Sequence, residues 1–157
     1  MAELELSKAL LKLYHNMMKL EDMKLQSTRT LNLTINELHL IECIRELTKG
    51  NDGPTISEVA FKLDITRPST TVAVNKLVLK KFVEKTGCVS DGRSVRVKLT
   101  PKGEKAFETH KKYHSDLAKA IKACFDKEEY KLLSASLQKL DKFFEEKIED
   151  ADKEEDF

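Results

Sequence analysis

The side chains at positions 67–77 form two groups of different chemistry that would lie on opposite faces of an α-helix. One side of this helix carries small or apolar residues that can pack inward, namely Thr70, Ala73, Val74 and Leu77. The other side carries hydroxyl, amide, cationic and small apolar groups, namely Pro68, Ser69, Thr71, Val72, Asn75 and Lys76, and Arg67 at the helix start is placed for a phosphate or a guanine. Hydroxyls, amides and cations suit base edges and phosphates, and an apolar side chain suits a thymine methyl group. The pattern therefore predicts a helix that enters the major groove of DNA.

The charge distribution favours a polyanionic partner, although the total charge hides it. The 157-residue chain has 28 Lys and Arg against 27 Asp and Glu, a net charge of +1. Positions 62–105 hold 11 basic and 4 acidic residues, a net +7, whereas positions 141–157 hold 3 and 9, a net −6. Neutralising phosphates with release of counterions requires a local excess of positive charge, not a global one. The basic segment is therefore the expected nucleic-acid surface.

Two short helices are expected on either side of a tight turn at positions 64–66. Glu58–Leu63 is predicted as the first, with Ser57 as its N-cap, and Pro68 is predicted to begin the second, which runs to about Lys80. Thr34 is expected to cap another helix through a capping box with Glu37. Longer helices are expected at positions 3–24, 35–49, 101–124 and 127–149.

A β-hairpin is predicted after the second short helix. Positions 83–85 and 95–99 alternate with period two, and a polar tip separates them. At this tip Asp91 is placed to orient the guanidinium of Arg93, a group that a narrow minor groove attracts. A helix, a turn, a second helix and a basic hairpin together predict a winged helix-turn-helix, with a mainly α (α+β) fold.

Other functional classes find little support in the sequence. No stretch reaches the roughly 20 apolar residues of a membrane helix, and Glu3 and Glu5 precede Lys8 where a secretion signal would be basic. The sequence has neither a Gly-rich phosphate loop nor a G-x-S-x-G motif, so no enzyme is expected. An architectural DNA-binding protein without an effector stays open as an alternative.

Three cysteines, Cys43, Cys88 and Cys124, lack any C-x-x-C spacing and predict reduced thiols in a cytoplasmic protein. Cys88 is expected to be exposed in the hairpin, and the other two to be packed on helices. Inert thiols are favoured over an oxidant sensor.

Two stretches of sequence carry a family resemblance. The first runs from Ser57 to Lys85 and includes Ile65-Thr66-Arg67-Pro68-Ser69, and the second is the D-x-R-S…V-x-L-T-x-x-G pattern from Asp91 to Gly103. Together they resemble the MarR family of bacterial transcription regulators, over nearly the whole chain. Lys81 stands where most members have glycine, so a left-handed conformation is expected there at some cost.

The resemblance implies a homodimer on a pseudo-palindromic operator, with half-sites about 34–36 Å apart. Positions 1–34 and 101–157 would form the helical dimerisation region, and positions 35–100 the DNA-binding lobe. The residues expected to contact DNA are Ser57, Arg67, Pro68, Ser69, Thr71, Val72, Asn75, Lys76, Asp91, Arg93 and Ser94.

Within the family, three segments are similar to the repressors of fatty-acid synthesis (the FabT type), at positions 20–29, 35–41 and 110–114. This resemblance implies an acyl chain on acyl carrier protein as the effector, held in an apolar tunnel. The residues expected to line it are Tyr14, Met17, Met18, Leu38, Ile41 and Leu63. An ordinary place in the core is the alternative for each of them.

Zinc is a second candidate effector. His110 and His114 stand four residues apart on one helix face, which is the spacing of a ligand pair. Resemblance to the zinc-responsive members adds Glu21 and His39, and the four side chains would satisfy tetrahedral Zn²⁺. The alternative is a hydrogen-bonded group of polar side chains that links the helices without a metal, with no cofactor required.

Overall fold

The computed structural model describes residues 2–27, 32–50, 52–87 and 95–155, which form six helices and one two-stranded antiparallel sheet. The elements in chain order are α1 (Ala2–Ser27), α2 (Ile35–Leu47), α3 (Ile56–Lys62), α4 (Arg67–Leu79), β1 (Val83–Gly87), β2 (Val95–Leu99), α5 (Pro101–Ala123) and α6 (Lys127–Glu155). They divide into two compact units, residues 1–111 and 112–157. The predicted fold class, a mainly α winged helix-turn-helix, is confirmed.

Helix α2 begins as its sequence predicts. The Thr34 hydroxyl accepts a hydrogen bond from the Glu37 backbone N–H at 3.3 Å, and the Glu37 carboxylate accepts one from the Thr34 N–H at 2.8 Å. This reciprocal capping box satisfies two N–H groups that the helix itself cannot pair. The apolar stripe of α2 is buried in the core of the first unit and consists of Leu38, Leu40, Ile41 and Ile44.

The N-cap prediction for α3 is wrong by two residues. Thr55 is the N-cap, and its hydroxyl accepts from the Glu58 N–H at 3.2 Å while Glu58 accepts from the Thr55 N–H at 2.7 Å. Ser57 lies inside the helix and is exposed. Thr55 is the N-cap because a glutamate stands three residues after it and completes a capping box. Ala60, three residues after Ser57, cannot do so.

The predicted wing strands pair antiparallel, with Val83 opposite Leu99 and Gly87 opposite Val95. β1 therefore extends two residues beyond the predicted 83–85. A single bridge between Thr55 and Arg96 adds a third short segment beside β2. At its edge Gly53 must be glycine, because a Cβ atom there would lie 1.8 Å from the Val97 carbonyl oxygen.

Helix α6 belongs to the second unit and starts at a capping box. Asp126 accepts hydrogen bonds from the N–H groups of Glu128 and Glu129, both at 2.9 Å. The helix continues to Glu155, six residues beyond the predicted end at position 149. None of the helices in the described ranges is long and apolar enough to cross a membrane.

The connection from α4 to β1 contains the expected left-handed residue. Lys81 has φ = +64°, a conformation that costs a residue with a Cβ atom about 1–2 kcal/mol. Glycine adopts the same conformation freely but is more flexible in the unfolded chain.

We expect Lys81→Gly to stabilise the protein by about 0.5–1 kcal/mol, because relief of the left-handed strain exceeds the extra unfolded-state entropy. Thermal unfolding followed by circular dichroism measures the shift. The matched control is Lys105→Gly within α5, which should destabilise the protein by about 1 kcal/mol, because glycine weakens a helix interior. A melting temperature of Lys81→Gly below that of the wild type would contradict the strain.

Candidate nucleic-acid interface

The inner face of α4 packs into the core as predicted. The helix starts at Arg67, with Pro68 in its first turn, after Thr66 caps it by accepting from the Ser69 N–H at 3.4 Å. Thr70, Val74 and Leu77 are fully buried, and Ala73 is half-buried. The Thr70 hydroxyl is satisfied, since it donates to the Thr66 carbonyl at 3.0 Å.

The outer face of α4 is open to solvent. Pro68, Ser69, Asn75 and Lys76 are exposed, and the Val72 side chain is 56 % exposed although it is apolar. Thr71 is half-buried, and its hydroxyl donates to the Arg67 carbonyl at 2.9 Å, which leaves its oxygen as an acceptor. A cleft of about 570 Å³ separates this face from the start of α2. The outer face therefore presents the donors and acceptors that base edges require.

A smaller notch of about 210 Å³ lies between α3, α4 and the wing. Its lining consists of Thr55, Ile56, Ser57, Arg67, Thr71, Lys85 and Val95. Neither Arg67 nor Lys85 has an acidic partner within the part of the chain that the structure describes. Two cations beside three hydroxyl groups suit a backbone phosphate of a nucleic acid.

Lys85 was not among the residues predicted from the sequence to contact DNA, yet it lines this notch. Strict alternation along β1 places Lys85 on the same side as Val83, which is buried, so its pattern gave no reason to select it. The only sequence signal was its place in the basic segment at positions 62–105.

Several lysines of the basic segment are paired within the protein. Lys62 contacts Glu46 at 2.6 Å, and this carboxylate raises the pKa of Lys62 above its ordinary value. Lys98 contacts Glu84 at 3.1 Å. Glu84 is already counted in the net +7 of this segment, but Glu46 lies outside it, so the pairing of Lys62 reduces the charge that the segment can offer to phosphates.

The wing tip lies outside the described residues. Asp91, Arg93, Ser94 and Cys88 fall in the gap between positions 87 and 95. Their expected contacts with the minor groove stay predictions.

The residues proposed for an acyl tunnel occupy different environments. Leu38 and Ile41 are buried in the core, and Met18 and Leu63 are half-buried. Tyr14 and Met17 are more than half exposed on α1. The first two match the alternative interpretation of these residues as core, and an effector role for the set stays a prediction.

Three of the four candidate zinc ligands converge in the first unit. Glu21 Oε1 lies 2.8 Å from His110 Nε2 and 3.6 Å from His39 Nε2. The imidazole of His110 is almost fully buried, and Glu42 lies 3.7 Å from its Nδ1. His114 follows one turn later on α5 and is exposed. The hydrogen bond of Glu21 to His110 is what the metal-free alternative requires, and the converging nitrogen and oxygen donors also suit Zn²⁺.

The described thiols differ from each other. Cys43 is buried as expected, and burial raises the pKa of its thiol, which keeps it protonated and unreactive. The expectation that Cys124 is packed is wrong, because it is exposed at the turn that follows α5. Its Sγ donates to the Ala120 carbonyl at 3.3 Å.

Comparisons with known proteins agree with this geometry. The MarR family model matches residues 43–94. The HTH-type transcriptional regulator YhjH of Bacillus subtilis, described as uncharacterized, is 26 % identical over 95 residues, which is 60 % of this chain and 52 % of YhjH. This chain therefore spans about half the length of that relative.

Two solved structures with DNA share the fold. FabT of Streptococcus pneumoniae in complex with DNA has a TM-score of 0.84 and 26 % identity, covering 92 % of this chain and 98 % of FabT. MepR of S. aureus in complex with DNA has a TM-score of 0.70 and 20 % identity, covering 88 % and 96 %. The relatives that these comparisons identify are transcriptional regulators, not enzymes.

We expect Asn75→Ala and Arg67→Ala to weaken binding to duplex DNA in different ways. Asn75→Ala should reduce affinity for a preferred sequence about tenfold and relax the preference at one base pair, because a base-edge contact is lost. Arg67→Ala should weaken binding to every sequence and reduce the salt slope by about one, because a phosphate contact is lost.

Fluorescence anisotropy at several salt concentrations separates the two effects. Exposed Lys127→Ala in α6 serves as the control and should leave both quantities unchanged. Equal effects of Asn75→Ala and Arg67→Ala on all sequences would contradict the division of the interface into a base-reading face and a phosphate notch.

Proposed function

We propose that this chain, whose residues 43–94 match the MarR family model, is a transcriptional regulator that binds double-stranded DNA at a specific operator. The main observation behind the proposal is that α4 has a buried inner face and a solvent-exposed outer face of hydroxyl, amide and cationic groups. Repression follows where the bound protein covers a promoter.

The docking follows from the positions of the cations. The outer face of α4 enters the major groove, where Ser69 and Asn75 meet base edges and Val72 meets a thymine methyl. The notch with Arg67 and Lys85 takes a phosphate beside that groove. Arg93 of the wing, which lies outside the described residues, is the group expected to enter the adjacent minor groove.

A homodimer is the form that we propose to bind DNA. Helix α1 exposes large apolar side chains, each 46–61 % accessible: Leu4, Leu6, Leu11, Leu13, Tyr14, Met17, Leu20 and Met23. Helix α6 exposes another set, each at least half accessible: Leu132, Leu137, Phe143, Phe144 and Ile148. Apolar surface on this scale marks an interface with another chain, and a second copy would place two α4 helices on one operator.

Control of fatty-acid synthesis genes is the finer part of the proposal. The similarity to FabT covers 92 % of this chain, and acyl chains, free or on acyl carrier protein, are the effector class that this resemblance implies. The half-exposed thioether and aromatic side chains of Met17 and Tyr14 offer flexible apolar contacts for such a chain.

Selection of bound fragments from bacterial genomic DNA is expected to recover one pseudo-palindromic sequence upstream of fatty-acid synthesis genes, because a dimer reads two half-sites about 34–36 Å apart. Acylated acyl carrier protein should change the affinity for that duplex, and the unacylated carrier is the matched control.

Each contrary result removes a different part of the proposal. Uniform binding to all fragments would reject the regulator in favour of an architectural protein. A common operator beside unrelated genes would reject only the fatty-acid pathway. The double variant Ser69→Ala/Asn75→Ala, which leaves the core untouched, should recover no common sequence.

A zinc-responsive regulator is the second candidate, favoured by the convergence of His39 and His110 on Glu21. Two imidazole nitrogens and a carboxylate oxygen are suitable zinc ligands, and His114 on the same helix as His110 is the expected fourth. Bound zinc would replace the hydrogen bond between Glu21 and His110 and tie α1, α2 and α5 together.

If the protein is a zinc-responsive regulator, we expect protein purified without chelator to contain about one zinc ion per chain, because a single site has four protein ligands. Elemental analysis measures the content, and His110→Ala should abolish it. His15→Ala is the control, since His15 is exposed and its Nδ1–H donates to the Leu11 carbonyl at 2.7 Å. Metal-free protein that gains no thermal stability on zinc addition would leave the hydrogen-bonded group as the explanation.

A further inference from the structure

The C-terminal end of α4 is held by a lysine that uses all three of its N–H donors. Lys80, the residue that follows the helix, directs its Nζ to both carboxylate oxygens of Glu37 and to the Asn32 carbonyl, each at 2.8 Å. A lysine ammonium group has three donors and no acceptor, so these contacts saturate it. Its charge is compensated inside the protein.

The acceptor side of this contact is fixed to the core. Glu37 is only 9 % exposed and also accepts the Thr34 N–H in the capping box of α2. Partial burial raises the pKa of Glu37, but the hydrogen bonds from Lys80 and Thr34 outweigh it and hold that pKa below its ordinary value of 4.5. The carboxylate is therefore ionised at neutral pH and cannot move without disturbing the start of α2.

A second set of contacts holds the same helix end from the side of α5. Lys102 Nζ donates to the Lys80 carbonyl at 2.8 Å, and the Thr100 hydroxyl donates to the Lys81 carbonyl at 2.7 Å. Carbonyl groups at a helix C-terminus have no partner within the helix and attract cations. Contacts with α2 and with the start of α5 therefore hold the same end of α4.

We propose that Lys80, Glu37 and the Asn32 carbonyl form a clamp that positions α4, and that Lys80 contributes to DNA binding through the position of this helix rather than through a phosphate. This inference rests on the proposed binding of an operator. Lys76, one turn earlier, is exposed and forms no ion pair among the described residues. Lys76 on α4 and Lys80 at its C-cap have the same charge but different roles.

The clamp affects sequence recognition more than general affinity. Hydrogen bonds to base edges weaken steeply when their geometry is lost, whereas contacts of a cation with phosphates tolerate small displacements. A helix end that moves should therefore reduce binding to the operator while binding to unrelated DNA persists.

Three lysine-to-methionine variants test the clamp, each on the operator recovered by the fragment selection and on a scrambled duplex of equal length. Lys80→Met should lower operator affinity about tenfold, with an unchanged salt slope and unchanged affinity for the scrambled duplex. Lys76→Met should lower affinity for both duplexes and reduce the slope by about one. Lys81→Met, at the adjacent exposed lysine, should leave the ratio of the two affinities unchanged.

Each contrary result has a definite meaning. A slope reduced by about one in Lys80→Met, with equal loss on both duplexes, would make Lys80 a phosphate contact and overturn the clamp. An unchanged affinity ratio in Lys80→Met would overturn it too, while wild-type preference for the operator keeps the proposed function. Absence of that preference in the wild-type protein overturns both.

Glu37→Gln provides the second variant where Lys80→Met does not fold. It retains the shape of the side chain and the capping of α2 but removes the ionic partner of Lys80. Loss of operator preference in Glu37→Gln supports the clamp, and wild-type preference overturns it.

Discussion

The ion pair between Lys80 and Glu37 is the contact on which the DNA-reading geometry depends. It joins residues 43 positions apart in the sequence and connects the end of α4 to the start of α2. α4 has a fully buried inner face, but apolar packing is non-directional and fixes the angle of a helix less firmly than directed hydrogen bonds do. The saturated ammonium group of Lys80 supplies that direction, and the contacts of Lys102 and Thr100 with the following carbonyls reinforce it.

Two residues at this contact have backbone conformations with positive φ. Lys81 adopts a left-handed conformation immediately after the clamp, and Asn32, whose carbonyl accepts from Lys80, has φ = +46°. The conformation of Lys81 is unfavourable by itself because lysine carries a Cβ atom, whereas asparagine adopts a left-handed conformation more readily. Three hydrogen bonds to a charged group can compensate strain of this size, since each contributes about 1.5–3 kcal/mol.

Local features of the fold could be predicted from the sequence, because capping and periodicity act over three or four residues. The capping box of Thr34 with Glu37 and the two faces of α4 are examples. The N-cap of α3 required a choice between two nearby hydroxyls, which Glu58 decides in favour of Thr55. Lys85 and the clamp could not be predicted, because both depend on which distant elements meet in the folded chain.

The central claim is that the outer face of α4 reads bases only while its end is clamped, and a double-mutant cycle on operator binding tests it directly. We expect the effect of Asn75→Ala to be smaller in a Lys80→Met background than in the wild type, with a coupling free energy of about 1 kcal/mol. Losses that add within about 0.3 kcal/mol would contradict it, because independent sites behave in that way.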